Sequence, residues 1–374
     1  MSEFNVKVHR ITIEEHPNAD AIELAIVGGY RSIVRKGDFK TGDLAVYIPE
    51  QAIVPDWLID ELGLTGKLAG KAQNRVKAIR LRGILSQGLI LGLVDGAVLD
   101  AEGTPMPVSE GDDVTEYLGI TKWEPVIPSS MSGQVTNAVG KTLKYDIENW
   151  KNHTNVLQDG EEVIFTEKLH GTWACFGLNI VDRIVTSKGF SGKGQAFILD
   201  ESNANNLYVK MYNEIGKHLV DIIAQATKFD VVYVLGEIFG CGVQDLHYGL
   251  ANPEFRVFDI FVGSGVDGIN TGAYVSYDTM NSLLDMANEV YRVKTGTSLG
   301  VKSVPELYRG PYSVEIMEQY TDGKETISGN DSNVREGIVM KPTLERRDLE
   351  LGRVILKSVS GDYLTRKGKV TEYN

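Results

Sequence analysis

The chain has 374 residues, 42% hydrophobic and 24% charged, which is typical of a globular protein with room for two or three domains. It contains no run of about eighteen apolar residues and no apolar N-terminal segment, so the sequence predicts neither a transmembrane helix nor a secretion signal. Its two cysteines, Cys175 and Cys241, have no metal-ligand spacing. That pattern argues against a zinc site or a disulfide framework and predicts a cytoplasmic location, in a host cell if the source is viral.

The formal net charge of −13 argues against a nucleic-acid partner for the chain as a whole, but binding depends on a local patch. Residues 66–82 carry several basic side chains and no acid. This basic patch consists of Lys67, Lys71, Arg75, Lys77, Arg80 and Arg82. A short basic tail follows at 366–369. Each is either a solvated face or a contact to nucleic-acid phosphates, and the sequence leaves both interpretations open.

Residues 1–118 predict a small β-rich domain. Short apolar or alternating runs typical of strands lie at 6–8, 23–27, 44–49, 76–81 and 89–94. Glycine turns separate them, and a helix is predicted over 55–62. Short strands with glycine turns favour an OB-type Greek-key β-barrel, a common nucleic-acid binder, although a sandwich fits the periodicity almost as well.

The regular pattern ends in residues 119–155, where prolines and glycines predict a linker or a loop that covers the next domain. Residues 156–374 predict an α+β domain. Helices are predicted at 204–226, 277–290 and 314–319, the second with Ser276 as its N-cap. Strands are predicted at 163–165, 173–176, 231–239, 255–262, 337–340 and 353–357. Their irregular alternation indicates antiparallel sheets with helices packed outside, not a doubly wound parallel sheet.

Charged side chains interrupt the apolar strands of this second domain. They occur in the segments Glu167-Lys168-Leu169-His170-Gly171, Ser187-Lys188-Gly189, Gly236-Glu237, Phe258-Asp259 and Glu336-Gly337-Ile338-Val339-Met340-Lys341, and at Lys357. Acids and lysines in apolar strands are costly unless they are paired or functional. One interpretation is a set of buried lysine–carboxylate salt bridges. The other is a nucleotide-phosphate site, in which lysines and a divalent cation neutralise phosphates and carboxylates hold the cation.

In this order the segments resemble the motifs of the covalent nucleotidyltransferase superfamily, which includes polynucleotide ligases and mRNA capping enzymes. The KLHG sequence at 168–171 resembles the RNA ligases of the T4 RNA ligase 2 branch. In the N-terminal domain, segments 16–20, 35–38 and 42–49 resemble tRNA-binding OB modules, and 81–89 is similar to Deinococcus-type RNA ligases. The resemblance covers nearly the whole chain and implies an OB domain followed by a ligase nucleotidyltransferase domain.

The resemblance implies that Lys168 is the nucleophile, which takes AMP from ATP through a phosphoramide bond. An unperturbed lysine has a pKa of about 10.4, so burial and nearby cations must favour its neutral amine. Gly171 would allow a phosphate to approach closely, and Glu167 and Leu169 would lie beside the nucleotide. His170 is either a structural turn residue or a contact to the ribose or the strand end.

The resemblance also implies contacts to the base and to a metal ion. Glu237 would contact the ribose and help to hold a Mg or Mn ion, to which Glu336 would bind through water. Phe258 would stack on adenine, with Asp259 supporting it.

Lysines would account for the phosphate contacts. By resemblance, Lys357 would contact the α-phosphate of ATP, and Lys188 would read the 5′-phosphate of the nucleic acid. The family often ends in a lysine pair spaced K-x-K, whereas Lys357 is followed here by Ser358-Val359. Either Lys357 serves alone or Lys341 helps it.

The implied activity is ATP-dependent RNA ligation by a monomer, at 5′-phosphate nicks in RNA or RNA/DNA duplexes. A DNA ligase and a GTP-dependent capping guanylyltransferase are alternatives, but the KLHG histidine and the N-terminal position of the OB domain count against both. A non-catalytic OB-fold RNA-binding protein is an alternative of another class. The presence of Lys168, Glu237 and Glu336 counts against it.

Overall fold

A computed structural model describes residues 4–329, 333–368 and 370–371. The N-terminal part of the chain folds into short strands because its apolar runs are brief and separated by turns. Its elements are β1 (Lys7–Arg10), β2 (Thr12–Glu15), β3 (Ile22–Val27), β4 (Tyr30–Arg35), β5 (Leu44–Ile48), β6 (Ala52–Ile53), α1 (Asp56–Glu61), β7 (Ile79–Leu81), β8 (Ile84–Ser86), β9 (Leu89–Gly92), β10 (Ala97–Leu99) and β11 (Pro105–Pro107).

Two three-stranded antiparallel sheets frame this domain, with the strand orders β1-β5-β9 and β2-β3-β4. Successive side chains of a strand point to opposite faces. On β5, Val46 and Ile48 enter one apolar core, while Ala45 and Tyr47 enter another. Both faces of this strand are therefore buried. The predicted helix is present as α1 and packs on the first of these cores.

This domain has more strands than the sequence patterns predict. The patterns miss β2 and β4, in which exposed polar residues interrupt the apolar alternation. The strand predicted at 76–81 is reduced to β7, because the N–H of Val76 donates instead to the carbonyl oxygen of Ala52 at 2.9 Å. β7 pairs with β8 in a hairpin that carries Arg80.

The connecting segment carries three short strands, β12 (Thr121–Lys122), β13 (Val135–Asn137) and β14 (Glu148–Asn149). The second domain then contains β15 (Glu162–Lys168), β16 (Gly171–Asn179), β17 (Asp182–Ser187), α2 (Lys188–Ser191), β18 (Gln195–Phe197), α3 (Leu207–Met211), α4 (Lys217–Thr227), β19 (Val231–Gly240), β20 (Pro253–Gly263), α5 (Gly268–Thr271), β21 (Ala273–Tyr274), α6 (Tyr277–Thr295), β22 (Lys302–Ser303), β23 (Glu306–Pro311), α7 (Val314–Thr321), β24 (Gly337–Pro342), β25 (Arg347–Asp348), β26 (Gly352–Arg353), β27 (Leu356–Val359) and α8 (Gly361–Leu364). A π-helical turn, Tyr212–Gly216, joins α3 to α4.

Two mainly antiparallel sheets form the second domain. The first sheet has the strand order β14-β27-β24-β15-β23, and the second sheet has the order β17-β16-β19-β20-β21, with β22 beside β20. The predicted helix at 204–226 is the run from α3 to α4, which packs with α6 on the second sheet. Ser276 caps α6, as predicted. In the part of the chain that the structure describes, no helix has the length and apolar character needed to cross a bilayer.

The segment predicted as a linker is integrated into both domains. β12 pairs with β6 of the N-terminal domain. β13 pairs with β18, and β14 runs parallel to β27 in the first sheet. The segment therefore covers the second domain, as predicted, but it does so through strand pairs and is not a free linker.

The strand predicted at 353–357 is divided in the structure. Arg353 lies in β26, which pairs with β25 in a hairpin, and β27 begins only at Leu356. The break coincides with two hydrogen bonds from the Arg353 guanidinium to the carboxylate of Asp259, at 2.8 and 2.9 Å. A charged contact to the other sheet thus interrupts an otherwise apolar run.

The chain passes from the first sheet to the second through only two residues. Lys168 is the last residue of β15, and Gly171 is the first residue of β16. Leu169 and His170 form the link between them, and both are buried. The side chain of Lys168 therefore lies where the two sheets meet.

Candidate active site

A cavity of about 340 Å³ lies where the chain crosses from β15 to β16, and strands of both sheets contribute to its wall. The wall includes most of the residues that the sequence analysis singled out. These are Glu167, Lys168, Leu169, His170, Gly171, Lys188, Glu237, Phe258, Glu336, Lys341 and Lys357. Gln51 and Lys122 extend the wall from the N-terminal domain and the connecting segment. The fold thus gathers side chains that are far apart in the sequence.

The ammonium group of Lys168 is paired with a carboxylate in this cavity. Lys168 Nζ donates to Glu336 Oε1 at 2.7 Å. The pair forms because β15 and β24 are antiparallel neighbours with Lys168 opposite Gly337, so the residue before Gly337 lies beside the lysine. The Lys168 side chain is 26% exposed and that of Glu336 is 12% exposed. A ligand in the cavity can therefore reach both groups.

Two glycines beside this pair are required by close strand packing. A Cβ atom on Gly171 would collide with the carbonyl oxygen of Ile238 on β19. Gly171 thus serves the close packing of two strands. It also lines the cavity, and its role of making room for a phosphate stays a prediction. Gly337 has a φ of +150°, and a Cβ atom there would collide with the carbonyl oxygen of Ser358 on β27. Glu336 is thereby placed at a point where only glycine can follow.

β19 brings Glu237 to the same cavity, opposite Trp173 of β16. Burial raises the pKa of Glu237 to about 8; the charge of Lys168 opposes this rise, and that of Glu336 adds to it. A carboxyl group with a raised pKa beside a second carboxylate suits a site that takes up a cation.

A divalent cation fits this pair of carboxylates. The described residues contain no cluster of three or more metal-ligating His, Cys, Asp or Glu side chains. Mg²⁺ does not need such a cluster, because it keeps several waters and binds through one or two carboxylates together with substrate phosphates. Glu237 and Glu336 provide such a donor set, and Mn²⁺ accepts the same oxygen ligands.

Lys357 supplies further positive charge from β27. Burial lowers the pKa of Lys357 to about 8, and the charges of Lys188 and Lys168 lower it further. The three ammonium groups favour phosphates as ligands of the cavity. The residues two positions before and after Lys357 are Ile355 and Val359, which also line the cavity. The K-x-K pair is therefore absent on both sides of Lys357.

Aromatic rings line another part of the cavity. Phe258, Tyr145 and Trp173 all border it. The ring centroid of Tyr145 lies 5.3 Å from that of Phe258 and 6.3 Å from that of Trp173. The sequence analysis singled out Phe258 but missed Tyr145, because the segment that carries it reads as a linker. The cavity joins a charged part to an aromatic part, as binding of a nucleotide requires.

Asp259 is 1% exposed and does not line the cavity. Its carboxylate accepts hydrogen bonds from Lys341 at 3.0 Å, from Arg353 at 2.8 and 2.9 Å, and from Tyr145 at 2.5 Å. Burial acts to raise the pKa of Asp259, but the charges of Lys341 and Arg353 outweigh burial and hold that pKa well below its usual range. Asp259 thus contacts the aromatic wall through Tyr145 from outside the cavity, and its support of Phe258 stays a prediction.

The same network decides how Lys341 is used. Lys341 borders the cavity but is 5% exposed, and its ammonium group donates to Asp259. This arrangement argues against the prediction that Lys341 helps Lys357 with the phosphates.

Glu167 has its carboxyl group committed to the loop after α7. Its Oε2 accepts hydrogen bonds from the N–H and the hydroxyl of Thr326, at 3.0 and 2.5 Å. Burial raises the pKa of Glu167, and the hydrogen bonds from Thr326 oppose that rise. Since Glu167 is 1% exposed, it fixes the strand before Lys168.

His170 is held by three residues that the sequence analysis missed. Its Nε2 lies 2.7 Å from Asp245 Oδ1, and its Nδ1 lies 2.7 Å from the Tyr363 hydroxyl. Its backbone N–H donates to the Tyr248 hydroxyl at 2.6 Å. No sequence spacing links these residues, which lie in the loop between β19 and β20 and in α8. The network favours the structural role of His170 over a contact to the ribose.

The basic patch lies apart from the cavity, whose lining includes none of its residues. Arg80 pairs with Asp362 of α8 at 2.7 Å, and the guanidinium of Arg75 lies 4.1 Å from the ring centroid of Trp123. Lys71 and Arg82 are exposed. Part of the patch therefore makes contacts within the protein, including Lys67, which donates to the carbonyl oxygen of Gly63 at 2.7 Å.

The basic tail is also partly internal. The Arg366 guanidinium donates to Asp245 at 3.1 Å, and its side chain is 8% exposed. Lys367 is exposed, whereas Lys369 lies outside the described residues.

Comparisons with known proteins agree with this geometry. A family model described as RNA ligase matches residues 161–359, more than half of the chain. A second model, for an OB-fold domain, matches residues 6–93. The comparison with curated proteins found no match.

Solved structures of Naegleria gruberi RNA ligase are similar to nearly the whole chain. A variant with ATP and Mn is 26% identical with a TM-score of 0.71, covering 96% of this chain and 98% of that one. The ligase with PPi is 25% identical with a TM-score of 0.72, and a variant with AMP and Mn is 25% identical with a TM-score of 0.73. Each covers 97% of this chain and 98% of the other.

An OB-fold domain followed by a two-sheet nucleotidyltransferase domain defines a class of polynucleotide ligases. The chain belongs to the RNA ligase family. The predicted fold class and the predicted RNA ligase activity are therefore confirmed. The domain boundaries and the roles of individual site residues stay predictions.

Proposed function

We propose that this RNA ligase uses ATP, attaches AMP to Lys168 and then seals an RNA 5′-phosphate to a 3′-hydroxyl. One observation carries the proposal: Lys168 ends a strand in a cavity that also holds Glu336, Glu237 and Lys357. The similar Naegleria gruberi structures with ATP or AMP and Mn support this choice of nucleotide and of a divalent cation.

The chemistry begins at the Lys168 amine. Its nitrogen forms a bond to the α-phosphorus of ATP, the bond from that phosphorus to the bridging oxygen breaks, and pyrophosphate leaves as the amine loses a proton. The Lys168–Glu336 pair must open first, because a carboxylate partner favours the charged ammonium. The cavity lets this happen, since both partners border it.

The next two steps consume the nucleotide. An oxygen of the RNA 5′-phosphate attacks the AMP phosphorus, and the bond to Lys168 breaks. A 3′-hydroxyl then attacks the 5′-phosphorus, AMP leaves and the hydroxyl proton is released. Lys357, whose pKa of about 8 leaves it mostly charged at pH 7, would face phosphate oxygens in each step.

Glu237 and Glu336 would hold a Mg or Mn ion. When bound, such an ion offsets the charge of the transferring phosphate. The aromatic wall with Phe258 and Tyr145 would hold the adenine, and Asp259 would fix Phe258 from behind through its bonds to Lys341 and Arg353.

The RNA end would reach the site past Lys188. This lysine lies 3.5 Å from Asp146, and the surface beside it is bordered by the exposed Lys144. We propose a nicked RNA or RNA/DNA duplex as substrate and a monomer as the acting form. Few basic groups border this path in a chain of net charge −13, so RNA binding should be weak, and its loss of affinity as salt rises should be modest because few phosphates are neutralised.

The test is transfer of label from α-labelled ATP, and separately GTP, to the protein in the presence of Mg or Mn. We expect label from ATP that stays on the denatured wild-type protein and is released by acid, as a phosphoramide bond requires, and no label on Lys168→Ala. The control is Lys141→Ala, an exposed lysine outside the cavity that pairs with Asp182. Label on Lys168→Ala would refute the nucleophile, and label from GTP alone would indicate guanylyl transfer. No label, with RNA still bound, would indicate a non-catalytic RNA-binding protein.

A further inference from the structure

The last described part of the chain folds back onto the link that follows Lys168. In α8, the Tyr363 hydroxyl lies 2.7 Å from His170 Nδ1, and the two rings meet edge to face with centroids 5.2 Å apart. Both residues are buried, at 3% and 2% exposure. The C-terminal helix is therefore part of the wall that holds the nucleophile.

The second nitrogen of His170 is fixed from the other side. His170 Nε2 lies 2.7 Å from Asp245 Oδ1. Asp245 in turn accepts hydrogen bonds from Arg366 at 3.1 Å and from the N–H of Thr371 at 2.9 Å. The Arg366 guanidinium lies 3.7 Å from the ring centroid of Tyr363. The residues on both sides of His170 thus form one connected network with the end of the chain.

The donors and acceptors of this network match a single arrangement of the neutral histidine. A carboxylate only accepts, so Nε2 of His170 carries the hydrogen that goes to Asp245. Nδ1 is then an acceptor, and the Tyr363 hydroxyl donates to it. Both ring nitrogens of this buried side chain are satisfied, and the ring orientation is fixed.

His170 is close to the reacting pair. Its Nδ1 lies 4.0 Å from Glu336 Oε2, and the other oxygen of Glu336 accepts from Lys168 at 2.7 Å. His170 also follows Lys168 by two residues, in the link between the sheets. A displaced imidazole would move the backbone after Lys168 or intrude on Glu336.

We infer that Tyr363 and Asp245 are positioning residues for the transfer of AMP to Lys168, acting through His170. This inference rests on the proposed function. Fixing His170 keeps the Lys168 amine aligned for attack, and small misplacements of a nucleophile lower the rate more than the affinity for the substrate. The C-terminal segment is thereby part of the catalytic apparatus without touching the reacting atoms.

The test compares the rate constant and the ATP concentration dependence of protein–AMP formation in the full-length protein. Tyr363→Phe removes one hydroxyl, and Asp245→Asn removes one charge at nearly constant size. Each is expected to lower the rate constant about tenfold, as for a buried hydrogen bond left unmade. The KM for ATP should stay close to that of the wild type in both variants, and so should the thermal midpoint of Tyr363→Phe. Asp245→Asn also removes the charge that pairs with Arg366, so its rate constant is measured well below its own thermal midpoint. The control is Tyr308→Phe, whose hydroxyl donates to the carbonyl oxygen of Pro311 at 2.8 Å.

The outcomes separate this inference from the proposed function. Wild-type protein that forms no protein–AMP would contradict the proposed function itself. Active wild type with unchanged rates in both variants would overturn the positioning role. A higher KM with an unchanged rate constant would also overturn it, because Tyr363 borders the cavity and would then be a nucleotide contact. If both variants lose rate only at temperatures where they begin to unfold, Tyr363 and Asp245 serve folding and not positioning.

Discussion

Two lysine–carboxylate pairs in the second domain have the same chemistry and different surroundings. Lys168 and Glu336 are 2.7 Å apart and both open onto the cavity, with side-chain exposures of 26% and 12%. Lys341 and Asp259 are 3.0 Å apart, with side-chain exposures of only 6% and 1%. Asp259 also binds Arg353 and Tyr145. The first pair can exchange its partner for a ligand, whereas the second is locked into the scaffold.

This difference shows that one domain contains both a buried salt bridge and a pair that fits a nucleotide site, the two interpretations of its charged strands. Salt bridges and a nucleotide site are alternatives only for a single pair. A buried carboxylate that satisfies two cations and a hydroxyl belongs to the framework. A pair with partial exposure, beside a second carboxylate and more lysines, has the means to react. The comparison predicts opposite results when each acid is changed.

Asp259→Asn should give the largest effect on stability. Removing one member of a buried ion pair typically costs about 3–5 kcal/mol in the free energy of unfolding. Here it leaves the charge of Lys341 uncompensated and takes from Arg353 one of its two carboxylate partners, the other being Glu345. Denaturant unfolding measures this change. The control is Asp182→Asn, whose exposed pair with Lys141 should change stability by about 0–1 kcal/mol. Equal small losses in the two variants would show that the Asp259 network is not structural.

Glu336→Gln should reverse that pattern. We expect the rate of protein–AMP formation to fall about 100-fold, as is usual when a placed charge at a reacting centre is removed. The thermal midpoint should change little, since Lys168 stays partly exposed. Glu289→Gln, on an exposed helix surface, controls for the loss of a carboxylate. A large loss of thermal stability with activity retained would place the Lys168–Glu336 pair with the scaffold.

Glu237→Gln should leave stability near the wild-type value at low pH and show its effect only in the pH dependence of stability. The carboxyl ionises near pH 4.5 in the unfolded chain and near pH 8 in the folded one. Its contribution to stability is therefore fully present below pH 4.5 and is lost as pH rises towards 8. Glutamine stays neutral, so the variant should match the wild type at low pH and exceed it at pH 8, without a divalent cation.

Lys357, in the same cavity, should change stability with pH in the opposite direction to Glu237. Lys357 ionises near 10.5 when unfolded and near 8 when folded, so its contribution is present above pH 10.5 and is lost as pH falls towards 8. Lys357 is present in both the wild type and Glu237→Gln, so its opposite trend cancels when the stability of one protein is subtracted from that of the other. Thermal midpoints measured from pH 4 to pH 9 with a chelator give the comparison. A constant difference across that range would contradict a raised pKa for Glu237.

The sequence predicts the frame of the second domain well, because its strands and helices are long and periodic. Ser276 and the apolar face of the 204–226 helix lie where the patterns place them. The sequence patterns mispredict the shorter elements, because residues in them make contacts with distant parts of the chain. Arg353 interrupts a predicted strand to reach Asp259, and Val76 bonds to Ala52 where a strand is predicted.

The residues of the candidate site also fall into those that the sequence predicts and those that only the fold reveals. Lys168, Glu237 and Glu336 are found from the sequence because charge within an apolar strand is conspicuous. Tyr145 and Asp245 are not, because they lie in segments without periodicity and reach the site only through the fold. Gly171 lines the cavity, and the close approach of a neighbouring strand, which no sequence pattern shows, also requires glycine there.

The connecting segment sets where this protein can be divided into exchangeable parts. β12 belongs with the N-terminal domain, while β13, β14 and the residues near Tyr145 belong with the second domain. A graft of another OB domain that replaced everything up to residue 155 would remove Tyr145 and its bond to Asp259. A junction between residues 123 and 134 would instead keep Tyr145 together with the wall residues of the second domain and would exchange only Gln51 and Lys122 of the lining.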